Sequence, residues 1–205
     1  MALSGAAWSS ALFASLQGKG FTGSRLMDFT DAVGIGSVNH VVGKTFTTTD
    51  TGLVPGIGTG TGVGVTGLSS AAISSAVFSL AVGFFGQAGA RLQDICDSIG
   101  DICVAQMALA TLTSNHTPVF SGSGVVDVGS ISVVPSGWAG SVNSEGAGNG
   151  FIGSQWPNFA TAIGQGQASQ VIATGTGNVT ISGTFTGSTP PGPVPGSGSG
   201  AGVIS

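Results

Sequence analysis

The chain has 205 residues, of which 8 are Asp or Glu and only 4 are Lys or Arg, against 38 glycines, for a net charge of −4. An ordinary soluble domain is roughly 25% charged and clothes its surface with those charges. At 6% charged residues this chain cannot do so as a free monomer, which points to a subunit whose surface is covered by partners. The four basic residues, Lys19, Arg25, Lys44 and Arg91, are scattered, and without a basic patch to neutralise phosphates a nucleic-acid partner is not expected.

The first predicted element is an apolar helix over "AAWSSALFASL" (6–16). No positive charge precedes it, and Lys19 follows it, the wrong order for a secretory signal. A Gly20–Phe21 turn closes it, with glycine supplying a positive φ and phenylalanine packing back. Ser24 stands where an N-cap belongs, and Leu26, Phe29, Val33, Val38 and Val41 mark one face of a second helix. The run "KTFTTTDTG" (44–52) reads as a strand, and a Gly-rich strip, "GTGTGVGV" (58–65), ends the first unit.

From residue 68 the same order returns. "AAISSAVFSL" (71–80) matches the first helix, Gly83–Phe84 is the expected turn, and Leu92, Ile95, Ile99, Ile102 and Met107 carry the second helix. "ATLTSNHTPVFSG" (110–122) is the strand, and 121–131 the strip. In the third unit the polar stretch "SVNSEGAGNG" (141–150) is read as having displaced the first helix. Gly150–Phe151, then Trp156, Phe159, Ile163 and Val171, restore the pattern, and "GNVTISGTFTG" (177–187) is the strand. The match is closest among "GSRLMDFTDAVGIG" (23–36), "GARLQDICDSIGDI" (89–102) and "GSQWPNFATAIGQG" (153–166). A recurring unit this small lacks a sufficient core of its own and gains one by stacking on its neighbours.

The expected architecture is therefore α+β, with three pseudo-repeats of helix, turn, helix, strand and Gly-rich strip. Their spans are 1–67, 68–134 and 135–187. The remainder, "STPPGPVPGSGSGAGVIS" (188–205), holds prolines at 190, 191, 193 and 195. It is expected to run as an extended arm across a neighbouring subunit.

Chemistry-bearing residues are few. Cys96 and Cys103 lie seven apart, about 10 Å along a helix and beyond disulfide reach, so they are expected to be small buried hydrophobes. His40 corresponds to Gln106 and Gln170, which suits a hydrogen-bonding helix position, and His116 has no Cys or second His nearby. Asp28 and Asp31, and Asp94, Asp97 and Asp101, share helix faces and could hold a cation. The third unit has Asn158 and Thr161 at those places, which argues against a shared metal or catalytic role. Arg25 and Arg91 precede Asp28 and Asp94 by three residues, the spacing of a helical ion pair. The glycines of 56–64 lack the strand-to-helix setting and the Lys-Ser/Thr of a phosphate loop. No catalytic, cofactor or metal residue is assigned, and an enzyme is not expected.

The segments "KGFTGSRLMDFTDAVGIGSVNHVV" and "NGFIGSQWPNFATAIGQGQASQVI", with the ending "PGPVPGSGSGAGVIS", resemble repeat-built structural proteins of tailed bacteriophages. The resemblance implies a virion component without enzymatic activity, at the head surface, neck or tail. Its partners would be itself, as a homo-oligomer, and other virion structural proteins. The alternatives are an extracellular or cell-surface filament subunit and a membrane-embedded protein spanning through 68–90.

Overall fold

In the computed structural model the described residues are 3–54, 58–86, 89, 91–116, 129–174, 182–186 and 194–204. Three helix pairs follow one another, each trailed by two strands. The first set is α1 (Gly5–Gly18), α2 (Leu26–Val41), β1 (Thr45–Val54) and β2 (Gly58–Val63). The second is α3 (Ser70–Phe85), α4 (Leu92–Ala108), β3 (Thr111–His116) and β4 (Gly129–Ser132). The third is α5 (Pro135–Gly148), α6 (Trp156–Thr174), β5 (Ser182–Thr186) and β6 (Val194–Val203). The α+β class expected from the sequence is the class observed.

Local chemistry sets the helix ends. Ser4 and Ser69 cap α1 and α3, each hydroxyl accepting from the amide three residues on, which satisfies an orphan N–H. Gly20 and Gly150 take φ of +83° and +81°. The Phe21 and Phe151 amides reach back to the Leu16 and Gly146 carbonyls at 3.1 and 2.8 Å, the six-to-one bond of a Schellman ending.

Three expectations about the helices fail. Ser24 does not cap α2, whose N-cap is Arg25 with no side-chain cap bond. The turn expected at Gly83–Phe84 is absent, because α3 runs through both residues and stops at Gly86, where φ is +73°. A helical glycine costs only about 1 kcal/mol relative to alanine, too little to end a helix whose Ile73, Val77 and Ala81 are fully buried. The polar stretch thought to have displaced a first helix lies largely in α5. Pro135 starts that helix without wasting a donor, and fully buried Trp138 with Val142 at 1% exposure anchors one face of it. Tertiary burial there overrides the poor propensity of Gly, Ser and Asn.

Within each pair the helices touch backbone to backbone at a glycine of the second helix. A Cβ on Gly34 would lie 2.6 Å from the Ser9 nitrogen, on Gly100 2.5 Å from the Ser70 oxygen, and on Gly164 2.4 Å from Ala139 Cα. The pairs also pack on one another, α2 on α3 and α4 on α5, and α6 returns to α1. The six helices thus close into a ring with one core running through all three spans.

The strands form one antiparallel sheet in the order β4-β3-β2-β1-β6-β5. The segment read as a Gly-rich strip at 58–65 is thus largely strand, and most of 121–131 lies outside the described residues.

The C-terminal arm is corrected as well. Residues 194–203 pair with β1 of the same chain along its whole length, from Thr45↔Val203 to Val54↔Val194. The next residue, Ile204, is 3% exposed and exchanges backbone hydrogen bonds with Gly43 and Lys44 at 2.8 and 2.9 Å. A Gly/Ser strand needs no pocket, because its partners are the backbone groups of β1. Among the described residues the β5–β6 pairing ends at Thr186↔Ser197, short of Pro195. The rest of the expected arm, 188–193 and 205, lies outside the described residues.

Candidate interaction surface

The arginine–aspartate pairs form as the spacing predicts, Arg25 to Asp28 at 3.1 Å and Arg91 to Asp94 at 3.0 Å. Both are about half exposed, and such pairs contribute little by themselves. Each arginine does more with a second nitrogen. Arg25 Nη2 donates to the Phe84 carbonyl near the end of α3, and Arg91 Nη2 to the Asn149 carbonyl at the end of α5. A cation at a helix C-terminus meets the negative end of the helix dipole, so Arg25 and Arg91, at the starts of α2 and α4, each clasp the next pair, while α6 has Gln155 at that place.

Asp31 and Asp97 bind helices within a pair. Asp31 accepts from Ser9 of α1, and Asp97 accepts from Ser74 of α3 and, at 2.8 Å, from Gln93 Nε2. In the third pair Thr161 replaces the acid and Ala139 replaces its serine donor, so acid and donor disappear together. Asp94, Asp97, Asp101 and Glu145 border a polar depression of about 340 Å³ with Ser70 and Asn149. Among the described residues no three His, Cys, Asp or Glu side chains are grouped to hold a metal.

Cys96 and Cys103 are buried and unbridged. Burial pushes both thiols up to about 12, with the Asp97 carboxylate adding to the effect at Cys96, so neither is a nucleophile at neutral pH. Gln106, the counterpart of half-buried His40, is buried and donates to Ser141 Oγ of α5 at 3.0 Å. His116 ends β3 opposite Gly58. Among the described residues no helix is long and apolar enough to cross a membrane, α3 being 16 residues.

The sequence reading missed an apolar depression where α2, α4 and α6 begin. Phe21, Ile95, Phe151, Ile152, Trp156 and Phe159 line an open hollow of about 500 Å³. Leu26, Phe29 and Leu92 line a second of about 480 Å³, which shares Ile95 and Phe159 with the first. Aromatic contacts fix the walls. Phe159 meets Phe21 edge-on at 5.6 Å and lies 5.4 Å from Trp156, and Phe151 stacks on Trp156 at 4.8 Å. The Arg91 guanidinium sits 4.4 Å over the Phe151 ring, a cation–π contact.

Trp156 can lie in this wall because α5 offers no side chain at Gly146, where a Cβ would fall 1.7 Å from Trp156 Cζ2. Its indole nitrogen donates to the Asn143 carbonyl at 3.1 Å. The signal for this surface was present in the sequence. The recurring positions Leu26/Leu92/Trp156 and Phe29/Ile95/Phe159 were read only as core, whereas these residues are partly buried and line a hollow open to solvent. Comparison with protein-family models, curated proteins and solved structures finds no match for the chain.

Proposed function

We propose that the chain is a non-enzymatic structural subunit of a phage virion that acts through self-assembly, and that it is built from three copies of one module closed on one another. The observation that carries this reading is the ring. α6 packs on α1 and β6 pairs with β1, so the third set of elements meets the first much as the first meets the second. Three similar units around one centre give a single chain the surface of a small trimer, suited to a site of three-fold character in a symmetric particle. Side-chain substitutions between the units support common descent. At corresponding places the first unit has Leu16 and Leu26, the second Ala81 and Leu92 and the third Gly146 and Trp156, so the position on the first helix shrinks in the unit where the second helix carries tryptophan, and there the two meet. The scarcity of charge supports a surface largely covered by neighbours.

The test is to purify phage particles from the producing culture through a density gradient and probe them with an antibody against the chain. The expected result is stoichiometric copurification and labelling at one fixed place on the particle. A chain found only in the soluble fraction, as a monodisperse monomer, refutes the reading.

A further inference from the structure

We propose that the apolar hollow is a self-docking face through which two copies associate about a two-fold axis, each inserting Ile152 into the hollow of the other. This deepens the self-assembly reading and rests on it. Ile152 is 86% exposed, at the rim of the hollow of about 500 Å³. The fold does not require an apolar side chain there. The turn after α1 has the same Schellman ending and places Thr22 between Phe21 and Gly23, where the turn after α5 has Ile152 between Phe151 and Gly153.

A knob and a hole on one face are what an isologous contact needs, since each copy must offer both. The hole is held open by its own wall, because Phe151 is fixed between Trp156 and Arg91 and little ordering remains to be done on binding. Gly150 and Gly153 of this hollow and Thr22, Gly23 and Ser24 of the adjoining one are small and uncharged, which permits close approach. Arg25 and Arg91 are already held by Asp28 and Asp94, so two facing copies bring no unpaired like charges together.

The molecule carries its own probe. Trp8 and Trp138 are fully buried, whereas Trp156 lines the hollow, so a change of tryptophan emission on association reports this face. The full-length chain is diluted through the micromolar range, and sedimentation and emission are read at each step. The expected result is a mass that halves on dilution while the emission moves to the red. Ile152→Thr, the residue already tolerated at the matching turn, should weaken association about 100-fold, since two anchors are lost per dimer, with an unchanged melting curve. An oligomer that Ile152→Thr leaves intact, with emission indifferent to dilution, overturns the docking face and spares the assembly reading. A wild-type chain that stays monomeric throughout overturns both. Emission that shifts only when another virion protein is added assigns the hollow to that partner and overturns self-docking.

Discussion

Two tryptophans at corresponding places in the first helices meet different fates. Trp138 Nε1 donates to Gln167 Oε1 at 2.9 Å, with both residues fully buried. Trp8 Nε1 and the Ser37 hydroxyl, which replaces Gln167 in the first pair, have no hydrogen-bond partner among the described residues. Phenylalanine at either place loses similar ring volume, but at 138 it also strands the Gln167 carbonyl, at about 1–3 kcal/mol. Trp138→Phe should therefore destabilise by that much more than Trp8→Phe in urea titration. The cysteines give a pH prediction. A thiol that burial pushes up from its ordinary value of 9.0 to about 12, as at Cys103, binds its proton more tightly in the native state. Its stabilisation is complete below pH 9 and lost as pH rises toward 12. The alkaline loss of stability should shrink in Cys103→Ala relative to the same variant's stability at pH 7, and native chain should resist thiol reagents that label it fully in denaturant.

At the scale of elements, α1 and α3 begin on serine caps, while α5 begins on Val134, which makes no side-chain cap and is 63% exposed. Val134→Ser should stabilise by about 1 kcal/mol, and Ser69→Ala should destabilise by a similar amount, both read from thermal melts. Gly146→Ala tests the fit between α5 and α6. With a Cβ 1.7 Å from the indole, Trp156 must leave its place, at a cost of about 1–3 kcal/mol, and its emission should move to the red. The second helices α2, α4 and α6 were legible because their apolar residues recur on one face. α5 was not, since its stability comes from two large residues, Trp138 and Val142, and from Gly146, which reads as a breaker until its contact with Trp156 is known.

For the whole molecule the decisive feature is closure. If 188–205 were an arm on a neighbour, its removal would weaken assembly and leave the subunit fold intact. In the ring, deleting 194–205 strips β6 from one side of all ten residues of β1 and uncovers the core beneath Ile204. The truncated chain is expected to lose cooperative unfolding or to melt far below the full chain, whatever its assembly state. A truncated subunit with an unchanged melting curve would contradict the closure.

By itself the sequence determined the second helices, the order of helices before strands, and the pairing of Arg25 with Asp28 and Arg91 with Asp94. Each of these is written in local spacing, at 3.6 residues per turn or as alternation along a strand. Only the tertiary structure decided where Gly83 and Gly86 would act as helix interior and helix end, that 135–148 would be helix, and that the last strand would return to the first. A glycine-serine strand pairs through backbone groups that every residue carries, so its partner leaves no mark in its side chains. The hollow belongs to the same class: periodicity tells which residues turn inward on a helix, but whether the space they face is filled depends on how three helix ends meet.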